Sequence, residues 1–129
     1  MRSRDSVRRY LIERGVRPDL VGGGLTGLVE RWTNIVDEIS RGYRLTLDDY
    51  LNDMDVRDII AGALTVANPG EHEEVANSLA QADRKLRELT KASPSLLENP
   101  PSLERWWYWR RPKKAGPSLT RDLRDLLDE

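Results

Sequence analysis

One segment of the 129-residue chain has a hydrophobic periodicity that indicates an α-helix with one buried face. It spans residues 25–39 and reads LTGLVERWTNIVDEI. Its apolar residues recur three and four positions apart, so a helix places them all on the same side. They are Leu25, Leu28, Val29, Trp32, Ile35, Val36 and Ile39. The segment therefore predicts a central helix that other elements must cover, and Gly42 is a suitable place for it to end because glycine tolerates the left-handed cap conformation.

The segment after the central helix, residues 46–64, also has helical character. Thr46 and Asp49 have the spacing of a capping box, in which each side chain accepts a hydrogen bond from the other residue's backbone N–H. Asp55 and Asp58 repeat this spacing further along. The segment therefore predicts either two helices or one helix with a break.

Two more helices are predicted, over residues 4–14 and after the Asn-Pro-Gly break at 68–70. The second carries a narrow apolar seam, which consists of Val75, Leu79, Ala82, Leu86 and Leu89. This spacing of four and three residues is also typical of coiled coils. Because the seam lasts little more than two heptads, we expect one helix of an antiparallel bundle rather than a dimerising coiled coil. The sequence leaves both a monomer and a homodimer open.

These patterns predict an all-α protein, a small helical bundle. The bundle is expected over residues 1–92. Five of the seven prolines follow residue 93, and proline interrupts regular structure. Residues 93–129 are therefore expected to form an aromatic, proline-bounded and mostly irregular C-terminal segment that packs on the bundle or on a partner and ends in a short helix.

Composition argues against several classes of protein. The formal net charge of −1 gives no global electrostatic reason to bind nucleic acid or a membrane surface. The absence of cysteine excludes disulfides and thiol chemistry. No apolar run has the length of a membrane span or a signal peptide. The sequence therefore predicts a cytoplasmic protein of prokaryotic type without a membrane partner, and it disfavours a nucleic acid as the partner.

Three patterns that suggest chemistry are incomplete. Gly22, Gly24 and Gly27 match the dinucleotide fingerprint G-x-G-x-x-G, but no convincing strand precedes them. The acidic region, residues 48–58, lacks the glycine and glutamate of a calcium-binding loop. His72 is the only histidine, and its acidic neighbours fan out around a helix instead of converging on it. We therefore predict no catalytic residue, no metal and no cofactor.

Residues 103–114, LERWWYWRRPKK, form the most unusual stretch, which we call the aromatic-basic segment. It holds three of the chain's four tryptophans and five basic residues. Four roles are open. The rings cover the bundle's own surface, with Arg110 and Arg111 paired to the acidic region, or they dock another protein. Alternatively, they stack on the bases of a nucleic acid or lie at a membrane interface.

The function that these observations favour is that of a small, non-enzymatic protein that binds another protein, in a regulatory, inhibitory or immunity-type role. The alternative is a nucleic-acid-binding protein that uses residues 105–114. The predicted partner-binding residues combine the aromatic-basic segment with the acidic region. They are Trp106, Trp107, Tyr108, Trp109, Arg110, Arg111, Asp49 and Asp53.

Overall fold

The computed structural model describes residues 4–127, which fold into an all-α bundle with a small two-stranded sheet, as the sequence predicts for the fold class. The predicted ranges 1–92 and 93–129 each extend beyond the described residues at their outer ends. The helices are α1 (Arg4–Glu13), α2 (Pro18–Ser40), α3 (Leu47–Leu64), α4 (Pro69–Leu89) and α5 (Pro117–Leu127). Between α4 and α5 lie β1 (Thr90–Ala92), a 3₁₀ helix (Trp106–Trp109) and β2 (Arg110–Pro112).

Helix α2 is the centre of the bundle and contacts α1, α3 and α4. All seven apolar residues of the predicted central helix are buried, and Trp32 is completely enclosed. The helix begins at Pro18, earlier than predicted, and contains a kink at Gly24. Gly24 has φ 62° and ψ −156°, a conformation that glycine adopts readily and other residues rarely do. The glycine-rich stretch thus acts as a bend at the entry to the central helix.

Helix α3 is one continuous helix without a break, so both alternatives expected from the sequence are wrong. Its capping box is the expected one: the Asp49 N–H donates to Thr46 Oγ1 at 3.2 Å, and the Thr46 N–H donates to Asp49 Oδ2 at 3.2 Å. The second cap expected at Asp55 and Asp58 is wrong. Both residues lie within the helix, and their carboxylates accept hydrogen bonds from Arg14 instead.

Helix α4 begins with a capping box between Asn68 and Glu71 and directs its seam into the core of the same chain. Four of the five seam residues are buried, and Leu89 is partly buried against them. The most extensive contacts of α4 are with α2. The seam therefore serves the packing of this bundle, as expected for the bundle interpretation.

The C-terminal part of the chain is integrated into the bundle by backbone pairing. Strands β1 and β2 are antiparallel, with Lys91 opposite Arg111. The Ser93 N–H donates to the Trp109 carbonyl at 2.9 Å, which extends the connection beyond the strands. Helix α5 buries Leu119 and Leu123 and contacts α3. This small sheet was not expected from the sequence, whose only strand-like alternation lies around Tyr43 to Leu47.

Gly62 allows α1 and α3 to approach closely. A Cβ at this position would overlap the hydroxyl and ring of Tyr10, whereas nothing lies within 4 Å of a Cβ at Gly27 in α2. We expect Gly62→Ala to displace Tyr10 and to have a lower melting temperature than Gly27→Ala, since overpacking costs about 1–3 kcal/mol and offsets the gain in helix propensity. Gly27→Ala, the matched control, should raise the melting temperature above that of the wild type, because alanine favours a helix by about 1 kcal/mol over glycine. A melting temperature that rises equally in both variants would contradict this packing.

Candidate functional site

The four rings of the aromatic-basic segment differ in exposure. Trp107 and Tyr108 are buried, with 3% and 5% of their surface exposed. Trp106 and Trp109 are partly buried and pack against the core. The Tyr108 hydroxyl donates to Asp55 on α3 at 3.3 Å. The segment therefore covers the bundle's own surface, the first of the four roles that the sequence left open.

The carboxylate of Asp83 on α4 binds side chains of two other helices, α2 and α3. It accepts a hydrogen bond from the Trp32 indole N–H of α2 at 3.0 Å. It also forms a two-pronged ion pair with Arg57 of α3, at 3.1 Å from Nε and 3.0 Å from Nη2. The Arg57 guanidinium lies 4.7 Å from the centre of the Trp107 ring, in cation–π geometry. Asp83 thus links α2, α3 and α4 to the aromatic-basic segment.

Arg110 stabilises the end of α4. Its Nε donates to Thr90 Oγ1 at 2.7 Å, and its Nη2 donates to the carbonyls of Thr90 at 2.8 Å and Arg87 at 3.1 Å. The last carbonyls of a helix lack intrahelical donors, so these contacts satisfy acceptors that the helix leaves open. The expectation that Arg110 pairs with the acidic region is therefore wrong. Arg105 of the same segment does pair with this region, since its Nε lies 3.3 Å from Asp58.

The two acidic residues predicted to bind a partner have partners within the chain. Asp49 caps α3 through its capping box with Thr46. Asp53 accepts a hydrogen bond from the Tyr43 hydroxyl at 2.5 Å, and its other oxygen lies 3.8 Å from Arg31. Burial raises the pKa of the Asp53 carboxyl above its ordinary value, although Tyr43 and Arg31 oppose this effect. The acids that meet the aromatic-basic segment are instead Asp55 and Asp58.

An open groove of about 610 Å³ lies between α1, α3 and the start of the aromatic-basic segment. We call it the Trp106 groove. Its thirteen lining residues include Asp58 and Glu104 as well as six aromatic or arginine side chains. These are Tyr10, Arg14, Arg57, Arg105, Trp106 and Trp107. Of the predicted site residues, the groove brings together Trp106 and Trp107.

Two side chains at or beside the Trp106 groove have unsatisfied interactions. The Nη1 group of Arg57 is buried and has no hydrogen-bond acceptor among the described residues. Leu103, which lies between the lining residues Ser102 and Glu104, is 76% exposed. A buried donor without an acceptor costs free energy, and a large exposed apolar side chain gains free energy when it is covered.

The contributions of α1 and α3 to this groove were not predicted from the sequence. Tyr10 and Arg14 are four residues apart, so they share one face at the end of α1. Arg57 occupies α3 among buried apolar neighbours, Val56 and Ile60. A cation next to buried apolar residues indicates an acidic partner in a poorly solvated place. The sequence contains several acids, and it does not identify Asp83 as that partner.

The part of the chain that the structure describes contains no group of three histidine, aspartate or glutamate side chains placed to hold a metal ion. None of its helices has the length and apolar character needed to cross a bilayer. No protein-family model matches the chain, and no curated protein and no solved structure gives a significant match. Functional inference therefore rests on the geometry of the surface.

Three tyrosines make the stability of the protein sensitive to alkaline pH. Burial raises the pKa of Tyr43, Tyr50 and Tyr108 above the ordinary value of 10.0. The unfolded chain loses these protons near pH 10, while the folded protein retains them. Because the unfolded state then binds fewer protons, the free energy of unfolding should fall as pH rises above 10.

Tyr50→Phe tests this effect, because the Tyr50 hydroxyl is buried without a hydrogen-bond partner among the described residues. We expect the variant to be as stable as the wild type at neutral pH and more stable above pH 10, since phenylalanine cannot ionise. Urea unfolding at neutral and alkaline pH measures both quantities. Equal losses of stability in the two proteins above pH 10 would contradict the assignment.

Proposed function

We propose that the protein is a binding protein, without catalytic activity, that captures a segment of another protein in the Trp106 groove. The segment that fits carries a carboxylate next to a bulky apolar side chain. The observation that supports this most directly is the presence of two exposed arginines, Arg14 and Arg105, together with a half-buried Trp106 in one open groove. In line with the expectation from the sequence, we take the partner to be a cytoplasmic protein.

The arginines of the groove favour a carboxylate in the ligand. Arg57 lines the groove, but Asp83 holds its Nε and Nη2 and its Nη1 is buried, so direct contact with a ligand falls to the other two arginines. Arg14 and Arg105 are more exposed and share the acceptor Asp58. A ligand carboxylate would provide a further acceptor for these two arginines. Charge-assisted hydrogen bonds of this kind are the stronger ones in proteins.

Trp106 and Leu103 favour a bulky apolar side chain in the ligand. Trp106 has its ring 3.8 Å from the Arg87 guanidinium, which holds the ring in place while part of it remains exposed. Leu103 is the most exposed large apolar residue of the described chain. Tryptophan and arginine are the residues that most often dominate binding energy at protein interfaces. The pair therefore favours a partner that covers both side chains.

A peptide library displayed on phage tests this proposal even though the partner is unidentified. Selection on the immobilised protein should enrich peptides that contain aspartate or glutamate beside a leucine, phenylalanine or tryptophan. The binding of a synthetic version of the enriched peptide is then measured by fluorescence anisotropy on the wild type and on Leu103→Asp. The introduced carboxylate removes apolar contact and repels the ligand, so we expect affinity to fall about tenfold or more.

The matched control is Leu126→Asp, since Leu126 is also exposed but lies on α5, away from the groove. We expect this variant to bind the peptide as the wild type does. Failure to enrich any sequence class would overturn the proposal. Equal binding by Leu103→Asp and the wild type would do the same, because the peptide would then occupy another surface.

A further inference from the structure

A basic surface forms where the loop after α2 meets the loop before α5. Two adjacent hollows lie there, and they share Lys113 and Ala115. Neither hollow is lined by an aspartate or glutamate, and neither is lined by an aromatic residue. We call this surface the basic face and use the name for six of its cationic residues. They are Arg41, Arg44, Lys91, Lys113, Lys114 and Arg124.

Backbone hydrogen bonds hold the two loops of the basic face together. The Tyr43 N–H donates to the Lys114 carbonyl at 3.2 Å, and the Gly116 N–H donates to the Tyr43 carbonyl at 2.6 Å. The Tyr43 side chain is buried, and its hydroxyl is bound to Asp53. The backbone that carries the cationic side chains is thus fixed before any ligand arrives.

The cations of the basic face make no ion pair with an acidic side chain within residues 4–127, whereas many other cations of the chain do. Several acidic residues bind other cations: Asp55 and Asp58 bind Arg14, and Asp83 binds Arg57. Glu38 lines an adjoining hollow with Arg41 and Arg44, but these three described residues form no ion pair with one another. Clustered like charges oppose folding, so this surface is better suited to an anionic partner than to stability alone.

We propose that the basic face binds the phosphate backbone of a nucleic acid. Lysine and arginine side chains neutralise phosphates without reading the bases, and this needs a row of cations on a fixed surface. An acidic protein is the less suitable occupant, since protein interfaces have an apolar centre, usually with aromatic residues, and neither hollow is lined by an aromatic residue. This site is separate from the Trp106 groove and does not depend on it.

The near-neutral total charge does not oppose this proposal. Charges on a protein surface are screened beyond about 8 Å at physiological ionic strength. A phosphate at the basic face therefore interacts with the local cations and only weakly with acids on the far side of the bundle. In the sequence, Arg41 and Arg44 lie among the seven acidic residues of residues 37–58. The fold places them beside Lys113 and Lys114.

Fluorescence anisotropy with a labelled single-stranded RNA and a labelled DNA duplex tests the proposal on the full chain. We expect binding at low salt whose affinity falls steeply as salt increases, because each neutralised phosphate releases a counterion. Arg44→Glu should weaken binding by about tenfold or more. Lys114→Ala should weaken it less and reduce the slope of log affinity against log salt by about one unit.

Arg84→Glu is the matched control, since Arg84 belongs to α4 and lines neither hollow. It should bind as the wild type does. Thermal unfolding shows whether Arg44→Glu remains folded, and we expect its melting temperature to equal or exceed that of the wild type because repulsion is relieved. Lys114→Ala provides the second reading if Arg44→Glu fails to fold.

The absence of low-salt binding to both nucleic acids would overturn the proposal. Equal loss of affinity in Arg44→Glu and Arg84→Glu would also overturn it, because binding would then depend only on total charge. Poly-glutamate serves as a competitor that carries carboxylates instead of phosphates. If it binds the basic face more tightly than either nucleic acid does, the occupant is an acidic protein and the proposal is wrong.

Discussion

The fold depends on one carboxylate that three helices share. Asp83 binds the Trp32 indole of the central helix and the Arg57 guanidinium of α3 from its own position on α4. Arg57 and Asp83 are largely enclosed, with 11% and 19% of their side-chain surface exposed. Removal of one partner from such a pair leaves an uncompensated charge in a poorly solvated place and costs about 3 kcal/mol. The arrangement fixes both the spacing of the helices and the direction of the arginine.

The direction of Arg57 in turn determines how the C-terminal part of the chain docks. Trp107 packs against the guanidinium, and Tyr108 and Arg105 reach the acids of α3 on the same side. Arg110 then satisfies the last carbonyls of α4. The aromatic-basic segment is therefore mainly structural. The side chains of the segment that remain at the surface include Leu103, part of Trp106, Lys113 and Lys114.

The sequence predicted the helices well and the site only in part. Seven apolar residues of α2 recur with helical spacing and therefore lie on one face. The sequence alone was thus enough to predict which side of α2 is buried. The interior of α3 was harder to predict, because Asp55 and Asp58 have the spacing of a cap and yet bind Arg14. The spacing of two aspartates in the sequence does not show whether they cap a helix or bind a distant arginine. Ion pairs over long sequence separations, such as Arg57 with Asp83, require knowledge of the packing.

The most direct test of the central role of Asp83 is a double-mutant cycle between Asp83 and Trp107, measured by urea unfolding at neutral pH. Both residues contact Arg57, so Asp83→Ala should weaken the contribution of Trp107 as well as its own. We expect the losses in Asp83→Ala and Trp107→Leu to be coupled by more than about 0.5 kcal/mol in the double variant. Additivity within about 0.3 kcal/mol would contradict this role, because the aromatic-basic segment would then dock independently of Asp83.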